Sequence, residues 1–509
     1  MGQTTILIMI LTIVSKIFGF VRESVMAAYI GAGELKSIYT TSMTIPNMMI
    51  AIITAGIITA YIPTYNKVRN DISDEAAKDF TSNLINILMF YGCLTLLIVF
   101  IFARPLSKLF SPDLSGTSLD LCVNFTRIIV FTTFTLLYAS VTKGYLNIKG
   151  NFVDPALVGI ILNIVIIIFT ILTNKFNNPY ILIFGALFAN IIQFIRFPYA
   201  SKKLGFKYKR IFNLKDIYIK YLMTMMLPII FSSAADQLSI LVDNSMASAF
   251  FGVSSVSKIY YAKTMLNFIM GVVTVTVATV SFPEIARLGQ AGEIEEMKSS
   301  ISSAIIMTML LVIPATLGMM ALSSPIIKLA FERNAFTSSD TSIVASLLVS
   351  YGPFIIFTSF IKILGNAFYS VGDAKTPVII IFSQQGINII LNFILVNFIG
   401  INGIALATSV STAIGTLLMI IAFKNKFGSF NFKGNLKSVA IISICSFIMS
   451  IIALIVHDYL KIKVGLILSL LISVSLSGIV YLLSISLSNI DEVKSLKLSF
   501  KERINKKGE

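Results

Sequence analysis

Residues 13–63 read IVSKIFGFVRESVMAAYIGAGELKSIYTTSMTIPNMMIAIITAGIITAYIP, two long apolar runs joined at the Gly-Ala-Gly of positions 31–33. Each run has the roughly 20 residues a helix needs to cross a bilayer, so the stretch predicts a pair of transmembrane helices. Inside the first run sit Lys16, Arg22 and Glu23. A charge at mid-bilayer costs about 2.5–3.5 kcal/mol on insertion scales and is kept where it faces a cavity or a partner. At about 100° per residue, Ser15, Gly19, Arg22 and Met26 share one helix face, and Lys16 and Glu23 share an adjacent one. Small residues beside cations predict a helix that lines a polar space. The competing reading is an Arg22–Glu23 pair near the interface, its side chains reaching to water.

The rest of the chain has the same character. Of 509 residues, 56% are hydrophobic and only 13% charged. A soluble domain carries about 25% charge, so the composition predicts an all-α polytopic membrane protein. The net charge of +16 lies in loops and in the C-terminal tail. That placement points to topology and to contact with membrane lipids, and argues against nucleic acid as a partner. Cys93, Cys122 and Cys445 lack paired spacing, and His457 is the sole histidine, at a helix end where a structural role is expected. No nucleotide motif or nucleophile elbow is present, which excludes a nucleotide-driven pump. The expected energy source is an ion gradient or the membrane potential, with Na+ or H+ as coupling ion and no other cofactor.

Taking about 20 residues per span predicts about fourteen helices. They cover 4–30, 36–66, 80–103, 120–147, 153–173, 179–200, 217–249, 257–288, 299–322, 340–369, 376–398, 402–423, 436–457 and 464–487. Lys and Arg concentrate on the even-numbered connections, most densely in KKLGFKYKRIFNLKDIYIK at 202–220, so both termini are expected in the cytoplasm. The chain also resembles itself across that loop. IGAGELKSIYTTSM (30–43) matches FGVSSVSKIYYAKT (251–264), pairing Gly31 with Gly252 and Tyr39 with Tyr260. AYIPTYNKV (60–68) matches VSFPEIARL (280–288), and IKGNFVDP (148–155) matches SVGDAKTP (370–377). Six spans per copy is an even number, so both copies enter from one side. This predicts two six-helix lobes, 1–213 and 214–425, related by a pseudo-twofold axis along the membrane normal. Two extra helices (426–489) and a basic cytoplasmic tail (490–509) follow. A substrate site between the lobes and alternating access are the corresponding expectations.

Two groups of residues could carry that function. Lys16, Arg22 and, in the second repeat, Lys263 of YYAKTM are cations inside apolar runs. Together they suit an anionic ligand such as a pyrophosphate. The alternative pairs each with an internal carboxylate: Glu23 for Arg22, and Asp236 or Asp243 for Lys263. Asp243, Asn388, Asn392 and Thr408 form the second group, oxygen donors that a monovalent cation could use. Asn388 and Asn392 stand four residues apart on one helix face. Helix cohesion, at about 0.6 kcal/mol per contact, competes with that reading and is favoured over it. FERNAFTSSDTS (331–342) reads as an exterior loop ahead of a capped helix.

SKIFGFVRESVMAAYIGAG (15–33), IPNMM (45–49), AYIP (60–63), VDNSMAS (242–248), FERNAFTSSDT (331–341) and KILGNAFYSVGDAKTPV (362–378) resemble the MurJ/MviN family. Its members are lipid II flippases of the MOP superfamily, and the similarity spans nearly the whole chain. The resemblance implies a transporter rather than an enzyme, with a cationic cavity between two lobes. It implies outward movement of lipid II, the polyprenyl-pyrophosphate glycopeptide of peptidoglycan synthesis, in the bacterial cytoplasmic membrane. It also implies that the last two helices form a groove for the lipid tail, and that cell-wall synthesis proteins are candidate partners. Arg22 and Glu23 match the family's Arg–acid pair. Lys16 and Lys263 stand where Arg is usual, and Lys lacks the bidentate fork. Ile50 occupies a position where the family carries a cavity Arg. The rivals are export of another lipid-linked oligosaccharide or of a cationic drug, and membrane-embedded glycan polymerisation. A drug exporter would want an acidic cavity, and a polymerase an acid/base pair on a large exterior loop.

Overall fold

A computed structural model describes residues 2–276, 282–429, 432–495 and 497–498. Residues 277–281 of the expected eighth span and 499–509 of the expected basic tail lie outside the described residues. The helices in order are α1 (Gly2–Ile30), α2 (Glu34–Asp71), α3 (Asp74–Ile101), α4 (Ala103–Phe110), α5 (Gly116–Ile129) and α6 (Thr132–Ile148). There follow α7 (Val153–Phe176), α8 (Pro179–Ile192), α9 (Arg196–Lys203), α10 (Ile217–Phe251), α11 (Ser254–Thr276) and α12 (Phe282–Ala291). The last six are α13 (Ile294–Ala321), α14 (Ser323–Phe331), α15 (Ser338–Ser370), α16 (Lys375–Ile399), α17 (Asn402–Phe427) and α18 (Phe432–Ser486). Every expected span falls on helix over most of its described residues. Eleven helical segments among the described residues are long and apolar enough to cross a membrane. The protein is an all-α polytopic chain.

Several helix ends follow directly from local sequence. Ser73 accepts a hydrogen bond from Ala76 N at 3.1 Å, ahead of the acidic pair Asp74 and Glu75. Asp216 accepts from Tyr218 N and Ile219 N to start α10. Gly31 closes α1 with φ 78°, in the left-handed region that favours glycine. Two expected spans divide: 120–147 breaks between α5 and α6 with no Gly or Pro at the break, and 179–200 between α8 and α9, just ahead of Pro198, which cannot bond the carbonyl of Phe194. At the first break Thr132 Oγ1 donates to Ile129 O at 2.7 Å, occupying a carbonyl that the interruption leaves over. The expected pair 436–457 and 464–487 is one run, α18, whose backbone departs from helix only at Gly465.

The chain forms two compact units. The first comprises Met1–Lys258 with Phe331–Thr337, and the second Ile259–Ala330 with Ser338–Glu509. In the first, α1 packs along α7 through small residues. A Cβ at Gly159 would lie 2.1 Å from Ser15 Oγ, and Asn163 Nδ2 donates to Ser15 O at 3.3 Å. The Ser15–Gly19 face therefore meets a helix, and its expected role in lining a polar space is corrected: small residues here permit close backbone approach. An aromatic core gathers Tyr61, Tyr65, Phe80, Tyr145 and Phe206. Each tyrosine hydroxyl has a partner, Thr81, Asp74 and Leu204 O respectively. The segment 331–337 returns to this unit, where Ala335 N donates to Ala28 O at 3.1 Å beside Gly31.

The basic connection 202–220 is fastened to α3. Asn83 donates to Asn213 O and accepts from Asn213 N, at 3.0 and 2.7 Å. Asn86 Nδ2 donates to Ile211 O at 2.7 Å, and Lys209 pairs with Asp79 at 2.6 Å.

In the second unit α16 and α17 form a tight hairpin, where a Cβ at Gly403 would meet Leu395 O at 2.5 Å. The second half of α18 is tied to α13 by Tyr481, whose hydroxyl donates to Leu310 O at 2.8 Å. Outside the spans, Asp373 pairs with Lys426 and accepts from Thr376 N and Oγ1.

Candidate functional site

Glu23 is the centre of the charged cluster in the first unit. One carboxylate oxygen accepts from Arg22 Nε and Nη2 at 3.1 and 2.5 Å. The other accepts from Lys36 Nζ at 3.1 Å. Lys36 stands on α2, near the turn that joins it to α1, with its side chain fully buried, beside Met26 Sδ and 5.6 Å from the Tyr39 ring centroid. Glu23 is 2% exposed, Lys36 0% and Arg22 21%, so Arg22 is the one member of the triad that keeps appreciable exposure. Two cations on one carboxylate leave a net charge of +1. Removing Glu23 would take away the carboxylate that compensates the buried Lys36, whereas removing Lys36 would leave Arg22 and Glu23 paired.

The expected Arg22–Glu23 pair is therefore present, and Lys36 is the residue that sequence reasoning missed. Its place just after the Gly-Ala-Gly turn gives it the look of a loop cation. The available signal was its spacing: a lysine one helical turn into α2 lies opposite the end of α1, where Glu23 waits. Lys16 is exposed on α1. In the second unit, Lys263 Nζ lies 5.6 Å from the Tyr351 ring centroid, within cation–π range.

Ile50 is buried and lines a cavity of about 340 Å³ inside the first unit. Asn47, Thr54, Ser140 and Lys143 supply its polar edge, against walls that include Ile58, Leu136 and Phe197. Lys143 on α6 is a second missed cation. It sits within the apolar run 132–148, so the reasoning that singled out Lys16 applies to it equally.

The second expected group separates by unit. Asn388 Nδ2 donates to Thr408 Oγ1 at 3.3 Å, and Asn392 Nδ2 donates to Asn388 Oδ1 at 3.5 Å. Gln384 extends the ladder with a 3.0 Å bond to Thr412. The bonds to Thr408 and Thr412 join α16 to α17, the cohesion expected of buried amides and hydroxyls, while the Asn392–Asn388 bond runs along α16. Asp243 belongs to α10 in the first unit and is buried.

A third feature lies wholly in the second unit. Between α11, α13 and the two halves of α18 runs an apolar cavity of about 690 Å³, walled by Phe268, Leu311, Pro314, Met449 and Leu482 among others.

Two lobes of long apolar helices carrying buried cations are an arrangement that known proteins share. A family model described as lipid II flippase MurJ matches residues 26–475. The chain belongs to the MurJ family. That family is one of transporters, and its members are multi-pass proteins of the bacterial inner membrane. A probable lipid II flippase MurJ of Rickettsia prowazekii is 28% identical over 465 residues, covering 90% of this chain and 91% of the relative. One from Thermotoga maritima is 27% identical over 504 residues, covering 95% and 96%. Among solved structures, a lipid II flippase MurJ in an inward closed conformation superposes with a TM-score of 0.79 at 24% identity, covering 94% of this chain and 98% of the other. An inward-facing multidrug resistance MATE transporter of the MOP superfamily gives 0.67 at 13% identity, over 82% and 98%. These superpositions show the MOP fold.

Proposed function

We propose that this MurJ-family chain moves lipid II from the inner to the outer leaflet by alternating access, with both termini in the cytoplasm. The observation that carries the reading is the Arg22–Glu23–Lys36 triad in a chain of this family. It presents one net positive charge on a guanidinium whose orientation is fixed by a buried carboxylate. Arg22, Lys16 and Lys263 neutralise the pyrophosphate, and Glu23 orients Arg22. Lys143, which shares a cavity with Ile50, supplies the positive charge that position 50 lacks. The polyprenyl tail lies in the apolar cavity beside α18, and the glycopeptide travels with the headgroup. The cycle draws on a Na+ or H+ gradient, with Asp243 of the first unit or the Asn388–Asn392–Thr408 set of the second as oxygen donors. Cell-wall synthesis enzymes that consume lipid II are the partners this role calls for.

The decisive experiment depletes the protein in cells with no other flippase and measures lipid II with an outside-acting enzyme that cleaves exposed precursor. Accumulation of protected lipid II is the expected result. Lipid II that stays accessible while peptidoglycan synthesis continues would overturn the reading. Ile50 in place of an arginine favours a second reading, a related lipid-linked glycan as substrate. Accumulation of a different protected lipid-linked sugar in the same cells would establish it.

A further inference from the structure

The apolar cavity of the second unit ends beside a polar one. Consecutive residues divide between them: Leu322, Ile326 and Ala453 line the apolar cavity, and Ala321, Pro325 and Leu454 line a neighbour of about 560 Å³. Leu322, Ala453 and Leu470 pack together where the two meet, with Ile326 and Leu466 against them. The neighbour lies at the end of the unit formed by the close of α13, the start of α14 and the bend of α18 near Gly465. Its polar lining is Ser324, Lys328, His457, Asp458 and Lys461.

His457 makes this more than a surface depression. The side chain is only 5% exposed, and its Nδ1 has no hydrogen-bond partner. A buried ring nitrogen without a partner is a cost that a bound ligand able to hydrogen-bond it would recover. Two lysines reach the same cavity. Lys461 is paired with Asp458 at 2.7 Å, a half-exposed contact that an incoming anion can share. Lys328 and Lys461 thus line the cavity with one carboxylate, Asp458, beside the His457 imidazole.

We propose that this cavity holds the phosphate of a polyprenyl lipid whose chain occupies the adjoining apolar cavity. Hydrocarbon walls and a cationic end, set side by side, match an amphiphile with a phosphate next to a long chain. A free phosphate would have no use for the apolar half, and a neutral lipid none for His457, Lys328 and Lys461. With both termini cytoplasmic, this end of the second unit faces outward. The site then receives the phosphate end of the lipid after translocation. The inference rests on the flippase reading for the identity of the chain and for the direction of travel.

The test is native mass spectrometry of the full-length protein, in an Arg22→Ala background so that the triad's guanidinium is absent. The probes are a polyprenyl phosphate and the matching polyprenol. The phosphate should be retained about ten-fold better than the alcohol. The double variant Lys328→Gln, Lys461→Gln should bring the phosphate down to the level of the alcohol, and His457→Gln should fall between. Equal retention of phosphate and alcohol with the cavity residues unsubstituted would overturn the proposal, and that comparison needs no cavity variant to fold. Displacement of the polyprenyl phosphate by an equal concentration of phosphatidylglycerol would overturn it too, marking a general anionic-lipid site. None of these readouts involves transport. A failed flippase reading shows in the depletion experiment, and a failed phosphate site shows here.

Discussion

Two polar clusters are buried in the membrane-spanning helices, and they differ in kind. In the first unit Arg22 and Lys36 are two cations on the one carboxylate of Glu23, and of these three charged groups Glu23 and Lys36 are almost fully enclosed. In the second unit Gln384, Asn388, Asn392, Thr408 and Thr412 form a neutral ladder between two helices. A neutral ladder holds helices together at small cost, and losing one rung is tolerable. A buried charged triad is expensive to assemble and contributes little net stability. The ladder explains cohesion; the triad calls for a functional reason to exist, and a positively charged tip offered to an anion is such a reason.

The contrast can be broken most directly at Glu23. Glu23→Ala leaves Lys36 buried without a counter-ion and should lower stability by about 3–5 kcal/mol, measured by denaturation of the purified protein in detergent. An unchanged midpoint would mean that the triad is not buried as described. Adding Lys36→Met to Glu23→Ala removes the stranded charge and should recover most of the loss, without restoring flipping in cells. Recovery of both would reduce the cluster to packing.

A smaller effect is expected outside the spans, at Asp373. Partial burial pushes its carboxyl up, but hydrogen bonds from Lys426 and from Thr376 outweigh that and bring it down to about 2, from 3.8. A depressed pKa means stability that is present above about pH 4 and lost as the pH falls toward 2. With Lys426 partly exposed, about 1 kcal/mol should disappear across that window and be absent from Asp373→Asn, as read by thermal melts at each pH. The smallest effect belongs to the ladder. Thr408→Val should cost about 0.6 kcal/mol, and a loss several times larger would show that the neutral cluster does more than join helices.

The helices were legible because apolar runs of spanning length leave few alternatives. The break at position 130 was not, since no Gly or Pro marks it and a threonine hydroxyl absorbs the interruption; the break at 193 did carry a signal, Pro198, which cannot bond the carbonyl of Phe194. Periodicity correctly put Ser15 and Gly19 on one face, but a period says which residues share a face and not what that face meets. Here it meets Gly159 and Asn163. Arg22 and Glu23 were legible as neighbours in an apolar run. Lys36 was hidden because its partner lies thirteen residues earlier, across a turn whose geometry only the fold provides. The cavity that brings Lys143 beside Ile50 joins α2 and α6, a long-range contact that no local pattern encodes.

The fastening of residues 209–213 to α3 has a consequence for handling the protein. A connection so rich in lysine and arginine would ordinarily be the first place trypsin cuts. A protease must draw several residues into its cleft as an extended strand, and here the carbonyls of Lys209, Ile211 and Asn213 are already held by Asn83 and Asn86. Two asparagines on a neighbouring helix thus make the chain's most basic loop a poor substrate, and a brief digest of the folded protein should leave its two halves joined.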